Sequence, residues 1–314
     1  MPGLKFSIMG DSISTFEGCT PDGYTLFYND ERLETSGVTS PSDTWWSHVA
    51  RALGGEILAD DAWSGSMVDG AGFPAAKSPE RAAALLGEDG QTPDVVITFI
   101  GINDYGWGGA AAQAAGHSHA MPKCIDLASV PEQVAGAAPA DAAEQFGNAY
   151  RTMLRNIRVV APDALVYCVT LLPGRTRGVD HPEFAYRLRG VHLDEYNRAI
   201  REAAAAEGCR VADVRAFGHD YESLEGTHPT NLGMRQFASM VVRAMQLADA
   251  EAEEEAANAA GATIDTQPEA ANPALDLETF CGAPASAETC NALTCIGCPH
   301  AANTGNQWLC RCLK

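Results

Sequence analysis

Basic residues are scarce in this chain, and between Ala244 and Cys310 there are none. Across 314 residues, 21 Lys and Arg face 41 Asp and Glu, a formal net charge of −20. Polyanions are held by clustered Lys and Arg, so this deficit excludes nucleic acid as the main partner. Long apolar runs are lacking too. None approaches the roughly 18 residues of a membrane-spanning helix, and no membrane span is expected. The N-terminus carries no basic stretch followed by an apolar signal core, because a strand-like run begins at Leu4. A cytoplasmic location is therefore expected, where the ten cysteines are more readily reduced or metal-bound than paired as disulfides.

What is present is a repeated alternation. The short apolar runs "LKFSIM", "EILAD", "DVVITFIG", "ALVYCVTLL" and "CRVADV" are separated by stretches long enough for a helix. That is βαβ spacing. Val- and Ile-rich runs without polar alternation suit parallel strands covered on both faces by crossover helices. The expected fold class is α/β with a central parallel sheet. Helices are predicted over Trp45–Leu53, Gln145–Val160, Leu193–Glu207 and Asn231–Leu247, with Pro162 and Gly208 as stop signals after two of them.

Two stretches break the rhythm. Tyr105–Glu144 is rich in Ala and Gly and far longer than the connections of about 4–6 residues usual in such folds, which suits a lid. Within it His117, His119 and Cys124 lack a fourth ligand, so no metal site is assigned there. Asp249–Glu278 is acidic and Ala-rich before it turns to Pro, Thr and Asn; its first half reads as an extension of the last helix and the rest as linker. The chain is expected to divide into a main α/β domain over 1–248, an acidic Ala-rich linker over 249–280 and a Cys-rich tail over 281–314.

In an open α/β sheet, ligands sit beyond the carboxyl ends of the strands. The loops emerging there carry Gly10-Asp11-Ser12, Trp63-Ser64-Gly65-Ser66 and Gly101-Ile102-Asn103-Asp104, and a later segment adds Glu225-Gly226-Thr227-His228-Pro229. Alone, a serine after Gly-Asp is often a helix cap. The four blocks in this order resemble the GDSL-type SGNH hydrolases, serine esterases and lipases named for a Ser, a Gly, an Asn and a His. Here those residues are Ser12, Gly65, Asn103 and His228. The resemblance covers roughly residues 4–248 and extends to "DSISTFEG", "WWSHV" and "TLLPGR".

The resemblance implies a three-layer α/β/α, flavodoxin-like fold and hydrolysis of carboxylic esters through an acyl-enzyme, with no catalytic metal or organic cofactor. The family takes in esterases, lipases, thioesterases and carbohydrate deacetylases; a short acyl ester, such as acetyl on a sugar, is the narrowest expectation. A serine hydroxyl needs a base to take its proton, and His228 is the motif candidate for Ser12, with Glu225 to hold the imidazole. The Ser12 and Gly65 backbone N–H groups and the Asn103 side-chain amide are implied as the oxyanion hole, Gly65 being expected to leave room for backbone approach. Asp11 and Asp104 are assigned as partners of nearby backbone N–H groups. Trp45 and Trp46 read as core, whereas Tyr105 and Trp107, near a motif loop, read as pocket walls.

One departure stands out. The family usually carries Asp three residues before the His, and here that residue is Glu225, one methylene longer. Two arrangements fit: Glu225 reaches the imidazole after a small loop shift, or a backbone carbonyl orients His228 and leaves a Ser–His dyad. The same departure alone favours a different class of function, a vestigial SGNH binding module whose tail recruits a protein partner.

The tail, "CGAPASAETCNALTCIGCPHAANTGNQWLCRCLK", is too short to bury a core unaided and needs a staple. Cys295-x2-Cys298 and Cys310-x-Cys312 form two close thiolate pairs that suit tetrahedral zinc. Metal binding contributes on the order of 10–16 kcal/mol to folding in zinc-finger peptides. Cys281, Cys290 and His300 are alternate ligands, and disulfides are the alternative staple. Cys19, Cys168 and Cys209 read as plain thiols.

Overall fold

The structure, a computed structural model, describes residues 3–70, 72–114, 141–178, 187–189 and 191–259, with the backbone alone of 301–303 and 308–310. Its strands are β1 (Leu4–Gly10), β2 (Gly55–Ala62), β3 (Val95–Phe99), β4 (Leu165–Val169), β5 (Gly174–Thr176), β6 (Arg187–Leu188), β7 (Val191–His192), β8 (Arg210–Ala212), β9 (Tyr221–Ser223), β10 (Ala301–Asn303) and β11 (Trp308–Cys310). The helices are α1 (Glu31–Ser36), α2 (Trp45–Ala52), α3 (Pro79–Ala83), α4 (Ile102–Trp107), α5 (Ala110–Ala114), α6 (Ala142–Val160), α7 (Leu193–Ala206) and α8 (Asn231–Ala259).

The apolar runs form one parallel sheet in the order β2-β1-β3-β4-β8. All of β3 is buried, as expected of a strand covered on both faces. α2 packs beside α8, while α3 and α7 flank α6, giving the three-layer α/β/α arrangement. The strand order reverses at β1, so β1 and β3 border the topological switch point of a flavodoxin-like sheet. Ser12 follows one of those strands and Asn103 the other.

Packing explains the helix positions. α2 starts at Thr44, whose hydroxyl accepts the Ser47 N–H at 3.3 Å. It buries Trp45 against Phe99 and Phe237, with ring centroids 6.0 and 5.3 Å apart, so the core assignment of Trp45 and Trp46 holds. α8 buries Met234, Phe237, Val241, Met245 and Ala248, a stripe at helical spacing. It continues through the acidic, Ala-rich stretch to Ala259. Asp249 is held there by Arg210, Nη1 to Oδ1 at 2.5 Å, and by the Tyr167 hydroxyl.

Tyr105 and its neighbours fall in α4, and residues 110–114 in α5, so the long Ala/Gly stretch begins as helix; 115–140 lie outside the described residues. Cys281, Cys290, Cys295, Cys298, His300 and Cys312 lie outside them as well, and of Cys310 only the backbone, pairing with Ala301, is described. Among the described residues no helix is long and apolar enough to cross a membrane.

Candidate active site

The turn carrying Ser12 is fixed from several sides. β1 ends at Gly10, where a Cβ would lie 2.5 Å from the Ser14 hydroxyl, so only glycine fits. Asp11 is buried and accepts the Ile13 N–H at 3.1 Å, while the Ser14 N–H donates to the Asp11 carbonyl at 3.0 Å. The indole of Trp45 donates to the Ser14 hydroxyl at 3.2 Å, and that of Trp46 to the Ser14 carbonyl at 2.8 Å. The tryptophans of "WWSHV" thus pack the core and pin the Ser12 turn together. Burial pushes the Asp11 carboxyl up to about 7, against the lowering effect of the Ile13 N–H and the Arg81 charge.

His228 comes from the tight loop between β9 and α8. Within it the Leu224 N–H donates to the His228 carbonyl at 2.8 Å, the Gly226 N–H to the Ser223 hydroxyl at 2.8 Å, and the Tyr221 hydroxyl to the Thr227 carbonyl at 2.6 Å. This loop sets the imidazole between two partners. Nε2 lies 2.8 Å from the Ser12 hydroxyl, and Nδ1 meets the Glu225 carboxylate. The same carboxylate oxygen accepts the His228 backbone N–H at 3.1 Å. Of the two arrangements the sequence left open, the carboxylate one is present: the extra methylene folds back within a turn of three residues.

The third loop leaves β2 at Ala62 and crosses beside Ser12. Its Trp63 N–H donates to the Gly10 carbonyl at 3.2 Å and its Ser64 N–H to the Thr25 carbonyl at 2.8 Å. Gly65 follows with φ +81°, and a Cβ there would meet nothing within 4 Å. The space beside Gly65 is open, and its left-handed backbone separately favours glycine. On α4 the Asn103 amide donates to the Ser66 carbonyl at 2.9 Å, which ties it to the Gly65 loop. Its neighbour Asp104 accepts the Val68 and Asp69 N–H groups at 2.8 and 2.9 Å, tying the Gly65 loop to α4. Burial raises the Asp104 carboxyl to about 7 despite those bonds.

Some contributors had no sequence signal. Arg81, on α3, is wholly buried, and its Nε–H is shared between the two oxygens of the Asp61 carboxylate at 2.9 and 2.8 Å. Its remaining N–H groups donate to the Gly10, Asp61 and Pro74 carbonyls at 3.0, 2.9 and 2.6 Å, joining the ends of β1 and β2 to the loop beyond Gly65. Phe27 lies parallel to the His228 ring, centroids 3.4 Å apart and planes 3° apart. Half-buried Trp63 contacts Tyr24 and exposed Phe73, with centroids 4.5 and 5.0 Å away. Tyr105 is not the exposed pocket wall expected: it is 1% exposed and packs edge-on against Tyr196 of α7. Trp107 is half-buried. Among the described residues, no three His, Cys, Asp or Glu side chains gather to hold a metal ion.

Comparison with known proteins bears on the same region. Residues 8–236 match the model of the GDSL-like Lipase/Acylhydrolase family. A solved structure from Bacteroides uniformis ATCC 8492, assigned as a GDSL-like lipase, shares 22% identity and a TM-score of 0.50 over 78% of this chain and 96% of that one. Another so assigned, from Bacteroides ovatus ATCC 8483, shares 18% identity and a TM-score of 0.48 over 79% and 98%. A Corynascus thermopiles carbohydrate esterase family 2 enzyme with a carbohydrate binding domain shares 19% identity and a TM-score of 0.46 over 79% and 67%. Comparison with the curated proteins finds no match.

Proposed function

Because the chain belongs to the GDSL-like lipase/acylhydrolase family of ester hydrolases, we propose that it is a serine esterase working through an acyl-enzyme. The observation that carries this reading is the Ser12 hydroxyl 2.8 Å from His228 Nε2, with Glu225 on the far nitrogen of the same ring. In the first half-reaction Nε2 takes the Ser12 proton as Oγ attacks the ester carbonyl, and the Glu225 carboxylate stabilises the imidazolium that forms. The negative charge developing on the carbonyl oxygen is met by the Ser12 and Gly65 N–H groups and the second N–H of Asn103. The imidazolium then protonates the leaving alcohol. Water, deprotonated by the same ring, releases the acid and restores Ser12.

For the substrate we favour a short acyl ester, with an O-acetylated carbohydrate as the candidate alcohol. What supports this is the partly exposed group of Tyr24, Trp63 and Phe73 on the Gly65 side of the site, since aromatic faces suit an amphipathic ring near few polar groups. The binding-module alternative rested on Glu225, and a Glu225 carboxylate seated on His228 Nδ1 removes that support.

A fluorophosphonate probe tests the reading. The native chain is expected to gain one adduct, located on Ser12 by peptide mass spectrometry and absent from Ser12→Ala. A native chain that takes no label and turns over no p-nitrophenyl acetate would overturn it.

A further inference from the structure

The Phe27-Tyr28 pair lies outside every motif block, yet it touches the residues that carry the candidate base. Phe27 covers one face of the His228 imidazole at 3.4 Å. Tyr28, fully buried, donates its hydroxyl to the Pro229 carbonyl at 2.8 Å across 201 residues of sequence. The same pair is tied to the nucleophile turn. The Phe27 N–H donates to the Thr15 hydroxyl at 2.9 Å, and that hydroxyl donates to the Ser12 carbonyl at 3.1 Å. The Glu17 N–H adds a bond to the Tyr28 carbonyl at 3.1 Å. Neighbouring residues thus hold the imidazole ring and the carbonyl one residue beyond it while standing on the turn that bears Ser12.

A ring held only at Nδ1 and Nε2 keeps one soft motion, rocking about the line joining those atoms, and the χ2 torsion of histidine is broad. Hydrogen bonds resist this rocking weakly until the angle falls well below about 150°. A flat ring in parallel contact blocks it on one side outright. Arg32 lies over Phe27 with Cζ 4.5 Å from the ring centroid. Since His228 already occupies one face, the guanidinium takes the other and backs the plate from outside.

We infer that Phe27 and Tyr28 are positioning residues for His228: Phe27 sets the plane of the imidazole, and Tyr28 anchors the chain one residue beyond it, at the Pro229 carbonyl. The inference rests on the esterase reading for its kinetic consequence and on geometry alone for the stack. A base misaligned by a fraction of an ångström lowers the chemical step while leaving substrate binding intact, because the interaction lost is made in the transition state.

The test uses the full chain with three variants. Phe27→Leu keeps apolar bulk and removes the flat face; it is expected to lower kcat on p-nitrophenyl acetate by about 10- to 100-fold, with KM within about 2-fold. Phe27→Tyr restores the face and is expected to recover most of the native kcat. Tyr28→Phe deletes only a hydroxyl, and a several-fold lower kcat is expected. Independently of activity, the His228 ring protons should appear displaced upfield by the Phe27 ring current in NMR spectra of the native chain and of Phe27→Tyr, but not of Phe27→Leu. Three results would overturn the inference: no upfield displacement in the native chain, a native kcat in Phe27→Leu, or a raised KM with unchanged kcat, which would make Phe27 a substrate contact. If the native chain neither labels nor turns over, the esterase reading fails, while the NMR signature still decides the stack.

Discussion

Glu225 bears directly on how the site works, because its carboxylate serves both the imidazole and the backbone of His228. Glu225→Gln keeps the shape and removes the charge; a loss of up to about 10⁴ in kcat is expected, by analogy with the Asp-to-Asn change in a serine protease triad. Glu225→Asp, the residue usual in the family, withdraws the carboxylate by about 1.5 Å and is expected to fall between native and Gln. A kcat equal to native in Gln would mean that the carboxylate contributes nothing to the base. Asn103→Ala removes an oxyanion donor and should lower kcat by about 10²–10³, measured under saturating substrate. Ser12, Gly65, Asn103 and His228 could be singled out because their four blocks stand in the order that the family resemblance implies, and the structure sets His228 Nε2 2.8 Å from the Ser12 hydroxyl. The left-handed backbone at Gly65 was not legible: it asks for the same residue as clearance for an approaching group, so the sequence does not distinguish the two demands.

At the level of elements, the loops bearing these residues are held by a short helix. Ser78 caps α3 and Pro79 begins it, which directs Arg81 into the space under β1 and β2. There the guanidinium meets the Asp61 carboxylate, which burial still raises to about 6. Arg81→Ala strands a buried carboxylate and several carbonyls, and a stability loss of about 3–5 kcal/mol is expected by urea denaturation. Arg81→Lys is expected to recover only part, since an ammonium cannot reproduce the planar fork. Strands and long helices were readable because a sheet covered on both faces demands unbroken Val and Ile runs, and its covering helices demand a 3.6-residue period. Arg81 was not readable: in "SPERAA" it looks like an exposed helix residue. Phe27 and Tyr28 were hidden because their partners lie about 200 residues away in sequence.

Across the whole molecule, several acids are buried with carboxyls displaced upward: Asp11 and Asp104 to about 7 and Asp61 to about 6. A raised carboxyl binds its proton more tightly in the folded chain than in the unfolded one, so the stability it contributes is present at low pH and is lost as pH rises through the folded value. His48 works the other way. Its value, lowered to about 4 mainly by burial, costs stability as pH falls below its usual range. Between pH 6 and 8 the carboxyls of Asp11 and Asp104, which titrate within that interval, outweigh the opposing effect of His48 and of His219, also lowered mainly by burial. The Tm is expected to be several degrees lower at pH 8 than at pH 6, at about 2–4 °C per kcal/mol for a domain of this size, and scanning calorimetry at matched ionic strength checks it. A Tm that rises across that interval would show that these carboxyls ionise freely. The long span between Ser12 and His228, 216 residues, has a temporal consequence as well. At about 5–20 residues per second of synthesis, Ser12 leaves the ribosome roughly 10–40 s before His228, so a nascent chain carries that serine without the imidazole the proposed mechanism requires.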